Sequence, residues 1–196
     1  MTGPYEWNPM PHVVDVVCTA CARHAVFEFA EVARIALRRD VALFQSHPLF
    51  EYRLCQDSLG NKWHAAFFFH GLHVRDTGAL RDLPDGYAPS DWDHSKYLVR
   101  SHGTDWGTVV CSNCGLRRRH RLEWPKDAWF QFDYRSTVLW AFNRESALEL
   151  RDFIASDQRD RSKYRWESFL SHVPKEFLAR GARADVVELL DRLLSA

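Results

Sequence analysis

The stretch VVCSNCGLRRRHR, residues 109–121, decides how this chain is organised. Cys111 and Cys114 are two residues apart, an apolar run precedes them, and an arginine-rich run follows. A second pair with the same spacing, Cys18 and Cys21, lies in HVVDVVCTACARHAVFEF, residues 12–29. In both places the cysteines separate two runs that are typical of β-strands. Each pair is therefore predicted to form the turn of a hairpin.

The two cysteine pairs predict a single metal site. Two residues between thiolates let a tight turn direct both sulfurs at one point, and two such turns supply the tetrahedral four-thiolate set of structural Zn²⁺. A thioredoxin-like redox pair would need a strand-to-helix setting, which neither pair has. We predict one structural Zn²⁺ bound by Cys18, Cys21, Cys111 and Cys114. The fifth cysteine, Cys55, ends a strand-like run and is predicted to be a buried apolar residue.

Residues 12–29 and 106–124 resemble the zinc-ribbon family, in which two knuckle hairpins clamp one zinc ion. The resemblance implies that the two hairpins lie side by side in one sheet. Residues 22–110 separate the second and third cysteines, far more than zinc ribbons ordinarily have there. They are therefore an insertion with hairpins of its own that widen the sheet. Closing so long a loop costs little more than closing a short one, because loop entropy grows logarithmically with length.

The order of elements predicts an α+β fold, since strands come first and helices follow. Strands are predicted at 12–17, 24–29, 49–55, 62–69, 106–111, 116–124 and 129–134. Helices are predicted at 31–39, 143–155, 174–181 and 184–194. The expected architecture is a split zinc ribbon extended into an antiparallel sheet, with C-terminal helices packed on it. Residues 1–134 form the ribbon and sheet, residues 135–196 form the helical region, and together they make one compact domain.

Composition limits the functions that the chain can have. Lys and Arg together number 26, as do Asp and Glu, so no global field attracts nucleic acid or membrane. The N-terminal sequence lacks the basic and apolar regions of a signal peptide, and the apolar run at 65–69 is too short to span a bilayer. These features predict a soluble, cytoplasmic protein with no membrane partner.

The arginines after the second cysteine pair are candidate nucleic-acid-binding residues, because four of them could neutralise several phosphates. Strand alternation sends neighbouring side chains to opposite faces, so a solvated strand paired with acidic neighbours is an equally supported interpretation. The candidates are Arg117, Arg118, Arg119 and Arg121. A later basic run at 159–166 contains Tyr164 and Trp166, which suits stacking on single-stranded nucleic acid or a linker between helices.

Two other groups could carry chemistry. Asp93-His94, followed by His102, faintly resembles the HNH nucleases, in which an Asp-His pair precedes a C-x-x-C pair. That resemblance implies His94 as general base, with Asp93 and His102 near a divalent ion, but residues 116–124 read as a strand where the family needs a helix. His70 and His73 could belong to a second metal site or be ordinary hydrogen-bonded histidines.

The sequence favours recognition over catalysis. A four-thiolate zinc site has no open position for water. The deaminase H-x-E, the metalloprotease H-E-x-x-H and the glycine-rich phosphate-binding motifs are all absent from the chain. We predict a non-enzymatic zinc-binding recognition protein. A protein partner and a nucleic-acid partner are equally supported, and an HNH-like nuclease that uses Asp93 and His94 is the alternative.

Overall fold

The structure is a computed structural model that describes residues 10–57, 59–73, 80–93, 97–98 and 105–195. The predicted α+β class is confirmed, and all strand pairs are antiparallel. The strands are β1 Met10–Pro11, β2 Val13–Val17, β3 His24–Phe29, β4 Glu31–Arg34, β5 Phe50–Gln56, β6 Lys62–Phe68, β7 Tyr97–Leu98, β8 Trp106–Val110, β9 Arg117–Arg121, β10 Phe130–Tyr134 and β11 Thr137–Ala141. The α-helices are α1 Val41–Ser46, α2 Arg144–Ala155, α3 Glu167–Leu170, α4 Lys175–Leu178 and α5 Arg183–Ser195.

The two cysteine-bearing hairpins form one four-stranded sheet in the order β2-β3-β8-β9. The inner strands join the hairpins, with Val26 opposite Val110 and Phe27 opposite Val109. This antiparallel register brings the turn after β2 and the turn after β8 to the same end of the sheet. Valine-rich strands favour such a half-buried pleated surface. The predicted strands at 12–17, 24–29, 106–111 and 116–124 are confirmed in their central residues.

Gly107 lets β3 and β8 approach closely. A Cβ atom at this position would lie 2.2 Å from the carbonyl oxygen of Glu28 and 2.4 Å from Cζ of Phe27. Backbone atoms cannot move aside as a flexible side chain can, so only glycine fits here. The pairing that aligns the two cysteine turns therefore depends on a residue with no side chain.

The insertion forms a separate three-stranded sheet, in the order β4-β6-β5. The expectation that its hairpins widen the ribbon sheet is therefore wrong, because the ribbon sheet consists of the four strands of the two cysteine-bearing hairpins. The predicted hairpin of 49–55 and 62–69 is confirmed as β5 and β6. The predicted helix at 31–39 is wrong, because Glu31–Arg34 is a strand whose Val32 lies opposite Phe67. Helical structure begins only with a 3₁₀ turn at Arg38–Asp40 and α1. Pairing with the buried strand β6 outweighs the weak local preference for a helix.

The C-terminal helices cover one face of the ribbon. The helix predicted at 143–155 is confirmed as α2, whose N-cap Asn143 accepts a 2.9 Å hydrogen bond from the Ser146 N–H. The helix predicted at 184–194 is confirmed as α5, whereas 174–181 contains only the short α4. Val14 and Phe27 of the ribbon share one buried cluster with Leu150 of α2. Among the described residues no helix is both long and apolar enough to cross a membrane.

Candidate metal centre

The first cysteine pair lies in a tight turn between β2 and β3. The Cys18 N–H donates to the carbonyl of Arg23 at 2.7 Å, and the Ala22 N–H donates back to the carbonyl of Cys18 at 2.9 Å. The Ala20 N–H points at the Cys18 sulfur, 3.4 Å away. Ala22 has a φ of 56°, the left-handed conformation that the turn needs directly after Cys21.

The second cysteine pair repeats this geometry between β8 and β9. The Cys111 N–H donates to the carbonyl of Leu116 at 2.9 Å, and the Gly115 N–H donates to the carbonyl of Cys111 at 3.0 Å. Gly115 follows Cys114 and has a φ of 74°, which corresponds to that of Ala22 in the first turn. The two turns are therefore equivalent knuckles, and glycine occupies the left-handed position in only one of them.

The four cysteine sulfurs lie together at the shared end of the ribbon. All four are within 4.8 Å of one another and could hold a metal ion. The Cys18 and Cys114 sulfurs are 3.7 Å apart, as are those of Cys21 and Cys111. A tetrahedron of sulfurs at the usual Zn–S distance of ~2.3 Å has edges of about 3.8 Å. A disulfide would need about 2.05 Å, so the spacing fits a shared cation and not a covalent bond.

Backbone N–H groups and neighbouring sulfurs act in opposite directions on the thiol pKa values of the cluster. The Arg23 backbone N–H donates to the Cys21 sulfur, and despite partial burial this lowers the pKa of Cys21 to about 6. The Leu116 N–H lowers the pKa of Cys114, but lost hydration and the three nearby sulfurs outweigh it and raise that pKa to about 12. Ionisation of one sulfur therefore opposes ionisation of another. A divalent cation would remove this repulsion.

The remaining cysteine is separate from the cluster. Cys55 lies on β5, only 6% exposed, and packs in an apolar cluster with Ala65, Phe67 and Phe69. Burial raises the pKa of its thiol. The prediction that Cys55 is a buried apolar residue is confirmed.

His70 and His73 lie apart from the metal centre. His70 is buried, and its Nε2 makes a 2.8 Å hydrogen bond with the carbonyl oxygen of Trp92. His73 stacks on Phe68, and burial together with the nearby Arg119 lowers its pKa. Within the described part of the chain, only the four cysteines form a group of three or more metal-binding side chains. The two histidines therefore have the contacts of ordinary structural residues.

The candidate nucleic-acid-binding arginines all lie on β9, but their side chains have different partners. Arg118 donates to the Thr19 hydroxyl in the first knuckle. Arg119 forms a 2.8 Å ion pair with Glu51, and its guanidinium lies 5.2 Å from the centre of the Phe69 ring. The other two, Arg117 and Arg121, are exposed, and their side chains have no hydrogen-bond or ion-pair partner among the described residues. The four arginines therefore do not form one uniform surface, because only two of them have side-chain partners among the described residues.

A shared carboxylate connects the ribbon to the insertion. Glu51 on β5 pairs with Arg119 of the ribbon, and the Arg53 Nε donates to the same carboxylate at 2.6 Å. The Arg53 guanidinium also lies over Trp106 of β8, 3.8 Å from the ring centre. Sequence reasoning missed this network, and alternating charges on the strand-like run at 49–55 were its only signal. The network fixes the position of β9 relative to the insertion sheet.

The aromatic residues of the basic run at 159–166 do not form an exposed stacking platform. Tyr164 packs edge-on against Phe153 at 6.0 Å between ring centres, and Trp166 lies 5.6 Å from Phe142. Arg165 donates to Glu145 at 2.9 Å. The segment therefore packs on the helical core as a linker would.

The residues of the nuclease alternative are only partly described. His94 and His102 lie outside the described residues, and Asp93 is exposed directly after a 3₁₀ turn at Pro89–Trp92. The segment Arg117–Arg121 is a strand. It therefore provides no helix at the place where the nuclease resemblance requires one.

No family model matches the chain, and no curated protein or solved structure is significantly similar to it. Function is therefore inferred from the geometry of the chain itself.

Proposed function

We propose that this is a zinc-binding recognition protein whose Cys18, Cys21, Cys111 and Cys114 hold one structural Zn²⁺. The observation that carries the proposal is the convergence of the four sulfurs, with 3.7 Å between the closest pairs. Tetrahedral four-sulfur sites suit zinc or iron, and the resemblance of the two knuckles to zinc ribbons favours zinc. Four thiolates leave no coordination position for water, so the ion supplies stability and no catalytic step.

The ion would join two hairpins that are distant in the sequence. Binding of structural zinc is worth about 10–16 kcal/mol in finger peptides, which is comparable to the whole stability of an ordinary domain. The metal would therefore fix the knuckle end of the ribbon, where Thr19, Ser112 and Asn113 are exposed. Together with the exposed arginines of β9, these residues form a rigid surface suited to binding a partner.

Elemental analysis of freshly purified protein tests the metal. We expect about one equivalent of zinc, lost in Cys114→Ser and retained in the matched control Cys55→Ser, since Cys55 lies in a separate cluster. Less than half an equivalent of any metal would contradict the site. Iron in place of zinc would give a coloured protein and would correct the identity of the ion.

Binding measurements test the recognition role. The metal-loaded protein should bind a defined partner, and removal of the ion by a chelator should abolish binding as the ribbon loses order in circular dichroism. Nucleic-acid binding would weaken steeply with salt, whereas a protein partner would be retained in the presence of DNA or RNA. Divalent-ion-dependent cleavage of nucleic acid that disappears in His94→Ala would replace the proposal with the nuclease interpretation.

A further inference from the structure

The two edges of the ribbon sheet differ. Along β2, the N–H groups of Asp15 and Val17 donate to the carbonyls of Phe142 and Asp127, at 2.8 and 2.9 Å, so that edge is covered. On the other side, no strand among the described residues pairs with the outer edge of β9. Within the part of the chain that the structure describes, the sheet thus has one covered edge and one edge that is left unpaired.

The hydrogen bonds of the β8–β9 hairpin show which groups point outward. The Cys111 N–H donates to the Leu116 carbonyl, and the Leu122 N–H donates to the Asp105 carbonyl. In an antiparallel pair every second residue bonds inward, so positions 118 and 120 face β8. The N–H and C=O groups of positions 117, 119 and 121 then face away from the sheet, and no hydrogen bond joins them to another described residue.

The side chains along this edge are strongly basic. Arg117 and Arg121 are exposed on one face of the strand, and Arg118 is exposed on the other. Between the first two, Arg119 already binds one carboxylate, that of Glu51, at 2.8 Å. An extended chain with acidic side chains on alternate residues would match this spacing, because both strands repeat every second residue.

We propose that β9 binds an acidic peptide segment, which adds to the ribbon as a further strand. Main-chain hydrogen bonds to positions 117, 119 and 121 supply affinity, and carboxylates facing Arg117 and Arg121 select an acidic sequence. This inference rests on the proposed function, since it names the partner class of the same zinc-supported surface. It concerns a partner and not the metal, so it can fail while the metal site stands.

Nucleic acid fits the same surface less well. Single strands are held by stacking on exposed aromatic rings, but two described rings beside β9 are already covered. Arg53 lies over Trp106, and Arg119 lies over Phe69. The chain has no net positive charge to attract a duplex. Phosphates could accept from the outward main-chain N–H groups but have no donor for the outward C=O groups, whereas a peptide strand pairs with both.

A proline substitution separates main-chain recognition from charge. Arg119→Pro and Arg119→Gln both remove the guanidinium, but only proline removes the outward N–H, and it breaks no bond to β8. The probe is a fluorescent synthetic peptide in which glutamate alternates with valine, with a scrambled peptide and single- and double-stranded DNA as comparisons. We expect Arg119→Pro to bind the probe about fivefold more weakly than Arg119→Gln. Zinc content and circular dichroism verify that both variants are folded.

Charge variants provide a second measurement if the proline variant does not fold. The double variant Arg117→Gln/Arg121→Gln should weaken peptide binding about fivefold, and Arg180→Gln, an exposed arginine of the C-terminal region, should leave it unchanged. Glu51→Gln should tighten binding, because it releases Arg119 for the peptide.

Three results would overturn the inference. Equal peptide binding by Arg119→Pro and Arg119→Gln would exclude main-chain pairing. Binding of DNA in preference to the peptide would assign the arginines to phosphate contacts. Absence of binding to any probe, with aggregation of the double variant, would show that the arginines only protect the edge from self-association. If the protein still contains one equivalent of zinc in these experiments, the metal site stands even though the peptide inference fails. A protein without zinc would instead contradict the proposed function itself.

Discussion

Replacing Gly115 by alanine should weaken the second knuckle through the backbone alone. Gly115 has a φ of 74°, and a Cβ at this position would have no heavy atom within 4 Å, so no steric clash contributes. A side chain in the left-handed region costs about 1–2 kcal/mol. Alanine also has less conformational freedom than glycine in the unfolded chain, which stabilises the folded state by about 0.4–1 kcal/mol. We expect Gly115→Ala to lower the free energy of unfolding by about 1 kcal/mol, which corresponds to about 2–4 °C in Tm.

Gly181→Ala is the matched control for this substitution. A Cβ at Gly181 also has no neighbour within 4 Å, but its φ lies outside the left-handed range. Both substitutions have the same effect on the unfolded chain. Their changes in the free energy of unfolding should therefore differ by the backbone strain at Gly115, about 1–2 kcal/mol. Ala22→Gly should raise the free energy of unfolding, because Ala22 already has a φ of 56° in the first knuckle and glycine adopts this conformation without strain. Urea unfolding of metal-loaded variants measures all three, and equal effects of Gly115→Ala and Gly181→Ala would refute the reasoning.

Three further experiments test other parts of the structure. Gly107→Ala should cost about 3 kcal/mol or more in urea unfolding, because its Cβ would overlap the Glu28 carbonyl; a change below 1 kcal/mol would contradict the close approach of β3 and β8. After chelation, a thiol reagent near pH 8 should label Cys21 faster than Cys55, because the pKa of Cys21 is about 6 whereas burial raises the pKa of Cys55 and leaves little thiolate; Cys21→Ser should remove the rapid phase that Cys55→Ser retains, and equal labelling rates for the two thiols would refute this. A double-mutant cycle on Glu51→Gln and Arg119→Gln should give a coupling of about 0.5–1 kcal/mol that falls with salt; no coupling would mean that the ion pair does not hold the two sheets together.

The cysteine spacing and local periodicity predicted the parts of the structure that depend on short-range chemistry. The knuckle turns, the hairpin at 49–55 and 62–69, and the capped helix after Asn143 all have their signals within a few residues. The error at 31–39 has a different origin, because Glu31–Arg34 pairs with β6, about 30 residues further along the chain. Local sequence cannot show which strand is near enough to pair.

In the candidate site, too, features with a local sequence signal could be predicted and contacts between distant residues could not. The convergence of the four sulfurs could be predicted, because the C-x-x-C spacing directs both thiolates of a pair to one point. The different partners of the β9 arginines could not be predicted, because Arg119 and Glu51 come into contact only when the two sheets pack against each other. The left-handed conformation of Ala22 also had no signal, because alanine seldom adopts it.

The long insertion between the knuckles has a consequence for synthesis of the chain on the ribosome. Translation at roughly 5–20 residues per second means that Cys111 follows Cys21 after a delay on the order of ten seconds. During that interval the first knuckle can offer an incoming ion only two sulfurs. A nascent chain would thus gain its metal, and the closure of its ribbon, only after β8 and the second knuckle leave the exit tunnel. Arrest of translation between the two pairs should yield nascent chains that retain zinc poorly.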